Sequence, residues 1–115
     1  MSDETQWRAG AASVEVTPVG SVKMSGYAAR KKPSEGVRDP LCAKALVIED
    51  SEGKQGLIIT ADLLGFDRKF ADEVFGDICK RTGFVREQIL INASHTHGGP
   101  VMGYRFLGSS ELPET

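Results

Sequence analysis

The chain has 115 residues, of which 40% are hydrophobic and 26% charged, and its formal net charge at pH 7 is -2. This length suits one small domain or a piece of a larger one, and the charge balance excludes nucleic-acid binding as the main function. No apolar stretch is long enough to span a bilayer. The polar first residues are unlike a signal peptide, so we expect the chain as written to be cytoplasmic, or secreted if a leader is missing.

The predicted elements give an α/β arrangement. Residues 13–17 alternate and predict a strand. Two further strands at 42–49 and 56–63 are joined by a short turn, which predicts a hairpin. The near-continuous apolar run of 56–63 predicts burial on both faces. A helix at 67–82 and a strand at 89–93 complete a βαβ unit, so the third and fourth strands are expected to be parallel.

The predicted helix has clear ends and one apolar face. Asp67 is the expected N-cap, and Gly83 is the expected C-terminal stop. An apolar stripe at helical spacing consists of Phe70, Ala71, Val74, Phe75, Ile78 and Cys79. Cys79 and Cys42 lack a metal-type spacing, so both are expected to be small buried hydrophobes.

A long segment at residues 19–40 is rich in Gly, Lys, Ser and Pro. Loops of this length inside a compact domain are often functional. The basic cluster Arg30-Lys31-Lys32 within it is expected to be a solvated loop. The predicted fold is therefore α/β, with a βαβ-containing mixed sheet and a long N-terminal loop.

The chain contains 2 histidines, His95 and His97, which stand between an apolar run and a Gly-Gly-Pro sequence. Imidazole is a common metal ligand and proton carrier. Residues i and i+2 of an extended segment point to the same face, so both rings are expected to face one cleft. The alternative is a pair of surface loop histidines.

Asp62 ends the predicted third strand, and ligands of open α/β sheets bind beyond the carboxyl ends of the strands. We therefore expect Asp62 to converge with the two histidines. It is interpreted as a metal ligand or as a carboxylate that orients an imidazole, with an ordinary turn aspartate as the alternative. Zinc in catalytic sites usually takes three protein ligands and lowers the pKa of a bound water toward about 7, which suits amide or ester hydrolysis. These residues are barely enough, so further ligands are expected elsewhere.

Several stretches, in order, resemble the N-terminal portion of neutral/alkaline non-lysosomal ceramidases. They are AGAASVEVTP at 9–18, SGY at 25–27, EGVRDPLCAKAL at 35–46, and TADL at 60–63 with NASHTHGGP at 92–100. The His-Thr-His-x-Gly-Pro element is the most specific of them. Their shared order and spacing carry the resemblance across nearly the whole chain.

The resemblance implies a zinc-dependent amidase in which a zinc-activated water attacks the N-acyl bond of ceramide or a related lipid. It maps a zinc ligand to His95 and a position lining the substrate cleft to His97. We take His97 and Asp62 as the candidate catalytic residues, with Asp62 either supporting a ligand or facing the substrate. Gly26 is mapped to substrate binding. Arg38 stands where many members carry histidine, and its permanent charge favours a polar or anionic substrate group.

On this interpretation residues 1–115 are the N-terminal part of a larger α/β hydrolytic domain, and the segment alone is not expected to hydrolyse substrate. The family's other zinc ligands (a histidine, a glutamate and a tyrosine) lie downstream. The implied partner is a small lipid or N-acyl amide. Peripheral membrane contact is a further expectation, and the sequence leaves the oligomeric state open.

Two other interpretations remain open. A metallo-β-lactamase-like hydrolase also places His-x-His after an apolar strand, but its pattern continues with Asp-His where this chain has Gly99 and Pro100. A non-catalytic α/β module would instead bind a partner or a lipid through the loop at 19–40.

Overall fold

A computed structural model describes residues 6–27 and 31–102. These residues form a 4-stranded sheet with the order β1-β2-β3-β4. The strands are β1 (Arg8–Glu15), β2 (Cys42–Glu49), β3 (Gln55–Ala61) and β4 (Ile89–Ala93). Helix α1 (Arg68–Thr82) and a 3₁₀ helix at Arg86–Gln88 connect β3 to β4. The predicted α/β class is confirmed.

The strand pairing follows the sequence pattern. The β1–β2 and β2–β3 pairs are antiparallel, and β3 and β4 are parallel. Asp50 sets the hairpin turn between β2 and β3, because its Oδ1 accepts hydrogen bonds at 2.9 Å from the backbone N–H groups of Glu52 and Lys54. The parallel register places Ala61 beside Ala93, so the carboxyl ends of β3 and β4 lie side by side.

Two strand boundaries differ from the prediction. The first strand was predicted at 13–17, but β1 begins at Arg8, where small residues with little β preference are held by pairing with β2. The third strand was predicted to reach residue 63, but β3 ends at Ala61. The N–H of Leu63 donates to the carbonyl of Ala61 at 2.9 Å, which turns the chain immediately after the strand.

Helix α1 forms where it was predicted. Asp67 is its N-cap and accepts a hydrogen bond from the N–H of Phe70 at 2.8 Å. Gly83 ends it in the left-handed conformation, with φ at 80°. Cys42 and Cys79 are both free thiols, half-buried rather than buried as predicted. In the described part of the chain, no helix has the length and apolar character needed to cross a membrane.

The core lies on one face of the sheet. Leu57 and Ile89 are paired in register and are 6% and 9% exposed. Leu90 of β4 points to the opposite face and is 59% exposed. In β3 only Leu57 is buried and its neighbours are half-buried, so the predicted burial of β3 on both faces is not found in the described residues. A crossover helix covers only one face of its sheet, and alternate strand residues face opposite sides. Leu63 and Leu64 extend the core into the turn after β3.

Candidate metal and substrate site

The chain segments that follow β3 and β4 remain hydrogen-bonded to each other. The N–H of Ser94 donates to the carbonyl of Ala61, and the N–H of His95 donates to the carbonyl of Leu63, both at 2.9 Å. The polar residues after the two strands therefore lie at one edge of the sheet, where ligands of parallel sheets bind. Asp62 and His95 both belong to this edge, as the topology predicts.

The imidazole of His95 is held in one orientation. Its Nδ1 lies 2.8 Å from the carbonyl oxygen of Leu64. Because a carbonyl oxygen only accepts hydrogen bonds, this contact requires the proton on Nδ1 and leaves the lone pair on Nε2. Metal-ligating histidines in proteins are commonly oriented in this way, through a hydrogen bond from the other ring nitrogen.

The backbone of His95 is also unusual. Its φ is 62°, in the left-handed region that residues other than glycine rarely adopt. Such conformations cost about 1–3 kcal/mol and concentrate at functional sites. The strained turn allows the His95 side chain to reach Leu64 while the chain continues toward Gly98 and Gly99.

His97 is half-buried and lies against three neighbours. Its ring centroid is 5.1 Å from that of His95 at an interplanar angle of 80°, and 4.8 Å from that of Tyr27 at 58°. A Cβ atom placed on Gly26 would lie 2.7 Å from Nδ1 of His97. The structure thus brings together the predicted residues His95, His97 and Gly26.

The two histidine rings meet for a different reason from the predicted one. The prediction rested on residues i and i+2 of an extended strand, but β4 ends at Ala93 and His95 is left-handed. The rings are adjacent because the turn folds them together edge to face. Edge-to-face contact places the positive rim of one aromatic ring against the negative face of the other.

The carboxylate of Asp62 makes a backbone contact. Its Oδ2 accepts a hydrogen bond at 2.9 Å from the N–H of Cys42, the first residue of β2. The N–H of Asp62 donates to the carbonyl of Cys42 at 3.0 Å. These bonds fix the turn after β3 to the start of β2, and the assignment of Asp62 as a catalytic residue stays a prediction.

The donor chemistry at this edge fits one ligand of a zinc site. His95 offers an oriented Nε2 atom, as described above. Within residues 6–27 and 31–102, no group of 3 or more His, Cys, Asp or Glu side chains is close enough to hold a metal ion. Any complete zinc site on this edge therefore requires ligands from outside the described residues.

The long loop at residues 19–40 is joined by backbone hydrogen bonds to residues 94–101, which we call the histidine segment. Met24 and Pro100 form an antiparallel bridge, and the N–H of Ser25 donates to the carbonyl of Gly99 at 3.0 Å. Ser25 is 4% exposed, and its hydroxyl donates to the same segment. This bridge carries Gly26, which has a φ of 110°, onto the ring of His97.

Arg38 lies at a neighbouring cavity of about 290 Å³. Thr96 and Gly98, on either side of His97, contribute to the wall, but the rings of the histidine pair do not line the cavity. Val22, Met24, Val37 and Leu41 make much of the wall apolar. Arg38 is exposed, and no described carboxylate lies within ion-pair distance of it.

The basic cluster predicted in this loop is only partly described. Lys31 and Lys32 are exposed, which agrees with a solvated loop. Arg30 lies outside the described residues.

Three contributors to the site were not predicted from the sequence. They are the Leu64 carbonyl, the hydroxyl of Ser25 and the ring of Tyr27. Leu64 acts through its backbone, which no residue type reveals. Tyr27 adjoins Gly26 in the chain, so the resemblance at residues 25–27 was the one available signal.

Comparison with known proteins supports the resemblance. A model of the family "Neutral/alkaline non-lysosomal ceramidase, N-terminal" matches residues 7–107. Neutral ceramidase A of Dictyostelium discoideum is 26% identical over 104 residues, covering 87% of this chain and 15% of that protein. Neutral ceramidase of Drosophila melanogaster is 28% identical over 99 residues, covering 82% of this chain and 14% of that protein. The chain thus spans a small part of the length of these relatives.

The fold is shared with solved structures. The crystal structure of neutral ceramidase from Pseudomonas aeruginosa matches with a TM-score of 0.76 at 23% identity, covering 83% of this chain and 16% of that one. A structure of a ceramidase complexed with C2 matches with a TM-score of 0.75 at 23% identity, covering 83% of this chain and 15% of that one. With a family model that spans most of its length, the chain belongs to the neutral/alkaline non-lysosomal ceramidase family, in the N-terminal part.

Proposed function

We propose that the natural protein containing this chain is a zinc-dependent amidase that hydrolyses the N-acyl bond of ceramide or a related N-acyl lipid. The observation that carries the proposal is the orientation of His95 in a chain of the ceramidase family. Its Nδ1–H donates to the Leu64 carbonyl, so Nε2 is available to a metal ion.

His95 is the residue that we assign to zinc. Zinc at this position would supply a Lewis acid that polarises an amide carbonyl and makes a bound water acidic enough to act as a nucleophile near neutral pH. The other ligands of the site would come from outside the described residues.

His97 is the residue that we assign to the substrate amide. Because its Nδ1 is buried against Gly26, we assign the contact with the reacting group to Nε2. A neutral imidazole donates from one nitrogen and accepts at the other, so His97 can hold or deliver a proton there. Gly26 permits the close packing that fixes the His97 ring.

The substrate assignment draws on the names of the relatives. The matched proteins of Dictyostelium discoideum and Drosophila melanogaster are neutral ceramidases. We extend their substrate class to this protein as an N-acyl lipid, with ceramide as the first candidate. Family membership favours this over the metallo-β-lactamase-like interpretation and over a non-catalytic module.

The test compares His95→Gln and His97→Gln in the natural protein, with release of fatty acid from ceramide as the activity. We expect His95→Gln to lose bound zinc and activity together. His97→Gln should retain zinc while losing about 10²–10⁴-fold in kcat, the usual contribution of a general acid–base group. Each variant is the control for the other, and thermal melting checks that both are folded. Wild-type zinc content in His95→Gln would contradict the proposal.

A further inference from the structure

Asp62 and Cys42 are joined by two hydrogen bonds that the hydrolytic proposal leaves without a specific role. The Asp62 carboxylate accepts from the Cys42 N–H at 2.9 Å, and the Asp62 N–H donates to the Cys42 carbonyl at 3.0 Å. Asp62 is half-buried. The contact therefore ties the turn after β3 to the first residue of the neighbouring strand.

The same turn holds His95 through its backbone. The Leu63 carbonyl accepts from the His95 N–H at 2.9 Å, and the Leu64 carbonyl contacts Nδ1 of the ring at 2.8 Å. The side chains of Leu63 and Leu64 are 8% and 7% exposed, which anchors the turn in the core. Gly99 packs on the other side, where an added Cβ would lie 3.3 Å from the Asp62 carbonyl.

From this chain of contacts we propose that Asp62 is a positioning residue, which sets the orientation and the protonated nitrogen of His95 by pinning the turn at 62–64. Its effect on zinc rests on the proposed function. The carboxylate acts here as a hydrogen-bond acceptor for Cys42, and it acts on His95 through the two leucine carbonyls.

A positioning role requires a different property of the Asp62 side chain from a metal-binding or catalytic role. A metal ligand or a catalytic carboxylate needs its negative charge, whereas a positioning residue of this kind needs only an acceptor oxygen at the same place. Asparagine has the same shape and keeps one acceptor oxygen without the charge. Alanine removes the acceptor and leaves the Cys42 N–H without it.

The experiment uses Asp62→Asn and Asp62→Ala in the natural protein, with Asp50→Ala as the matched control. Asp50 also accepts backbone hydrogen bonds through its carboxylate, but in the turn between β2 and β3, away from this edge. Zinc affinity is measured by competition with a chelator. We expect Asp62→Ala to weaken it about 10–100-fold, as loss of a group supporting a ligand does. Asp62→Asn should stay within about threefold of wild type, and Asp50→Ala should not change it.

A second measurement needs no metal. Amide hydrogen exchange of the segment containing His95 is followed in the metal-free protein. Loss of the Asp62–Cys42 bond should speed exchange there about tenfold in Asp62→Ala, which corresponds to one hydrogen bond. The rate should be unchanged in Asp62→Asn, while Asp50→Ala should affect only its own turn.

The outcomes separate this inference from the proposed function. Equal losses in Asp62→Asn and Asp62→Ala would overturn it, because the charge would then matter. Unchanged exchange and zinc affinity in Asp62→Ala would also overturn it. If Asp62→Ala fails to fold, Asp62→Asn decides alone, and a tenfold loss of zinc affinity there counts against the inference. If the wild-type protein binds no zinc, the proposed function fails, and the exchange measurement decides the positioning role.

Discussion

Gly26 lies so close to His97 that a Cβ atom on it would be 2.7 Å from Nδ1 and 2.8 Å from Cγ of the ring. Its φ of 110° is also a value that residues with side chains rarely adopt. Two independent physical constraints thus select glycine at this position. The contact joins the long loop to the histidine segment and defines how far the ring of His97 can move.

Substitution Gly26→Ala should therefore displace His97 and destabilise the protein. We expect a loss of about 2 kcal/mol or more in the free energy of unfolding, from backbone strain together with the clash. Gly53→Ala is the matched control, since Gly53 has a φ of 84° and nothing within 4 Å of an added Cβ. It should cost only the strain, about 1 kcal/mol. Urea unfolding of both variants measures the difference, and equal losses would contradict the predicted clash.

The left-handed backbone of His95 can be tested by comparing His95→Ala with His95→Gly. Both variants remove the ring, so in the folded state they differ mainly in the ability to adopt a φ of 62°. The glycine variant should be more stable by about 1 kcal/mol, because glycine adopts this region without steric cost. Chemical denaturation gives the comparison. An alanine variant as stable as the glycine variant would show that the residue is not left-handed.

Arg38 is predicted to bind a polar or anionic substrate group. In Arg38→Gln we expect KM for an N-acyl lipid bearing a carboxylate to rise about tenfold, in line with the loss of one charged hydrogen bond. The KM for an uncharged ceramide should not change. Arg68→Gln is the control, because Arg68 lies on α1 and pairs with Asp72. An equal effect on charged and uncharged substrates would contradict an anion-binding role.

Alanine substitutions at two glycines of the helix region should change the stability of the protein in opposite directions. Gly76 lies inside α1 with nothing within 4 Å of an added Cβ, so Gly76→Ala should stabilise the protein by about 1 kcal/mol. Gly83 ends the helix with a φ of 80°, so Gly83→Ala should destabilise it by a similar amount. Thermal melting of the two variants would show shifts of opposite sign, and shifts of the same sign would argue against this helix boundary.

Local patterns were sufficient to predict the elements with strong sequence signals. The predicted bounds of β2 and β4 match the structure, and α1 starts after Asp67 as its capping pattern indicates. β1 was misplaced because its pairing with β2, rather than its own residue preferences, determines where it begins.

The candidate site was predictable in its residue types but not in its geometry. The positions of His95 and Asp62 followed from the parallel strand order. The hydrogen bond to the Leu64 carbonyl and the packing of Gly26 on His97 join segments distant in sequence. Backbone carbonyls and a left-handed turn leave no periodic pattern, so these contacts could not be inferred from the chain alone.

The bridge between Met24 and Pro100 has a consequence for how the protein folds. The hydroxyl of Ser25 donates to the carbonyls of Gly99 and Pro100, which lie 74 and 75 positions further along the chain, so closing this contact carries the entropy cost of a long loop. Long-range contacts of this kind slow folding. We therefore expect the histidine segment to reach its final arrangement late, after the hairpin and helix have formed. The packing of Gly26 on the His97 ring would thus form only near the end of folding.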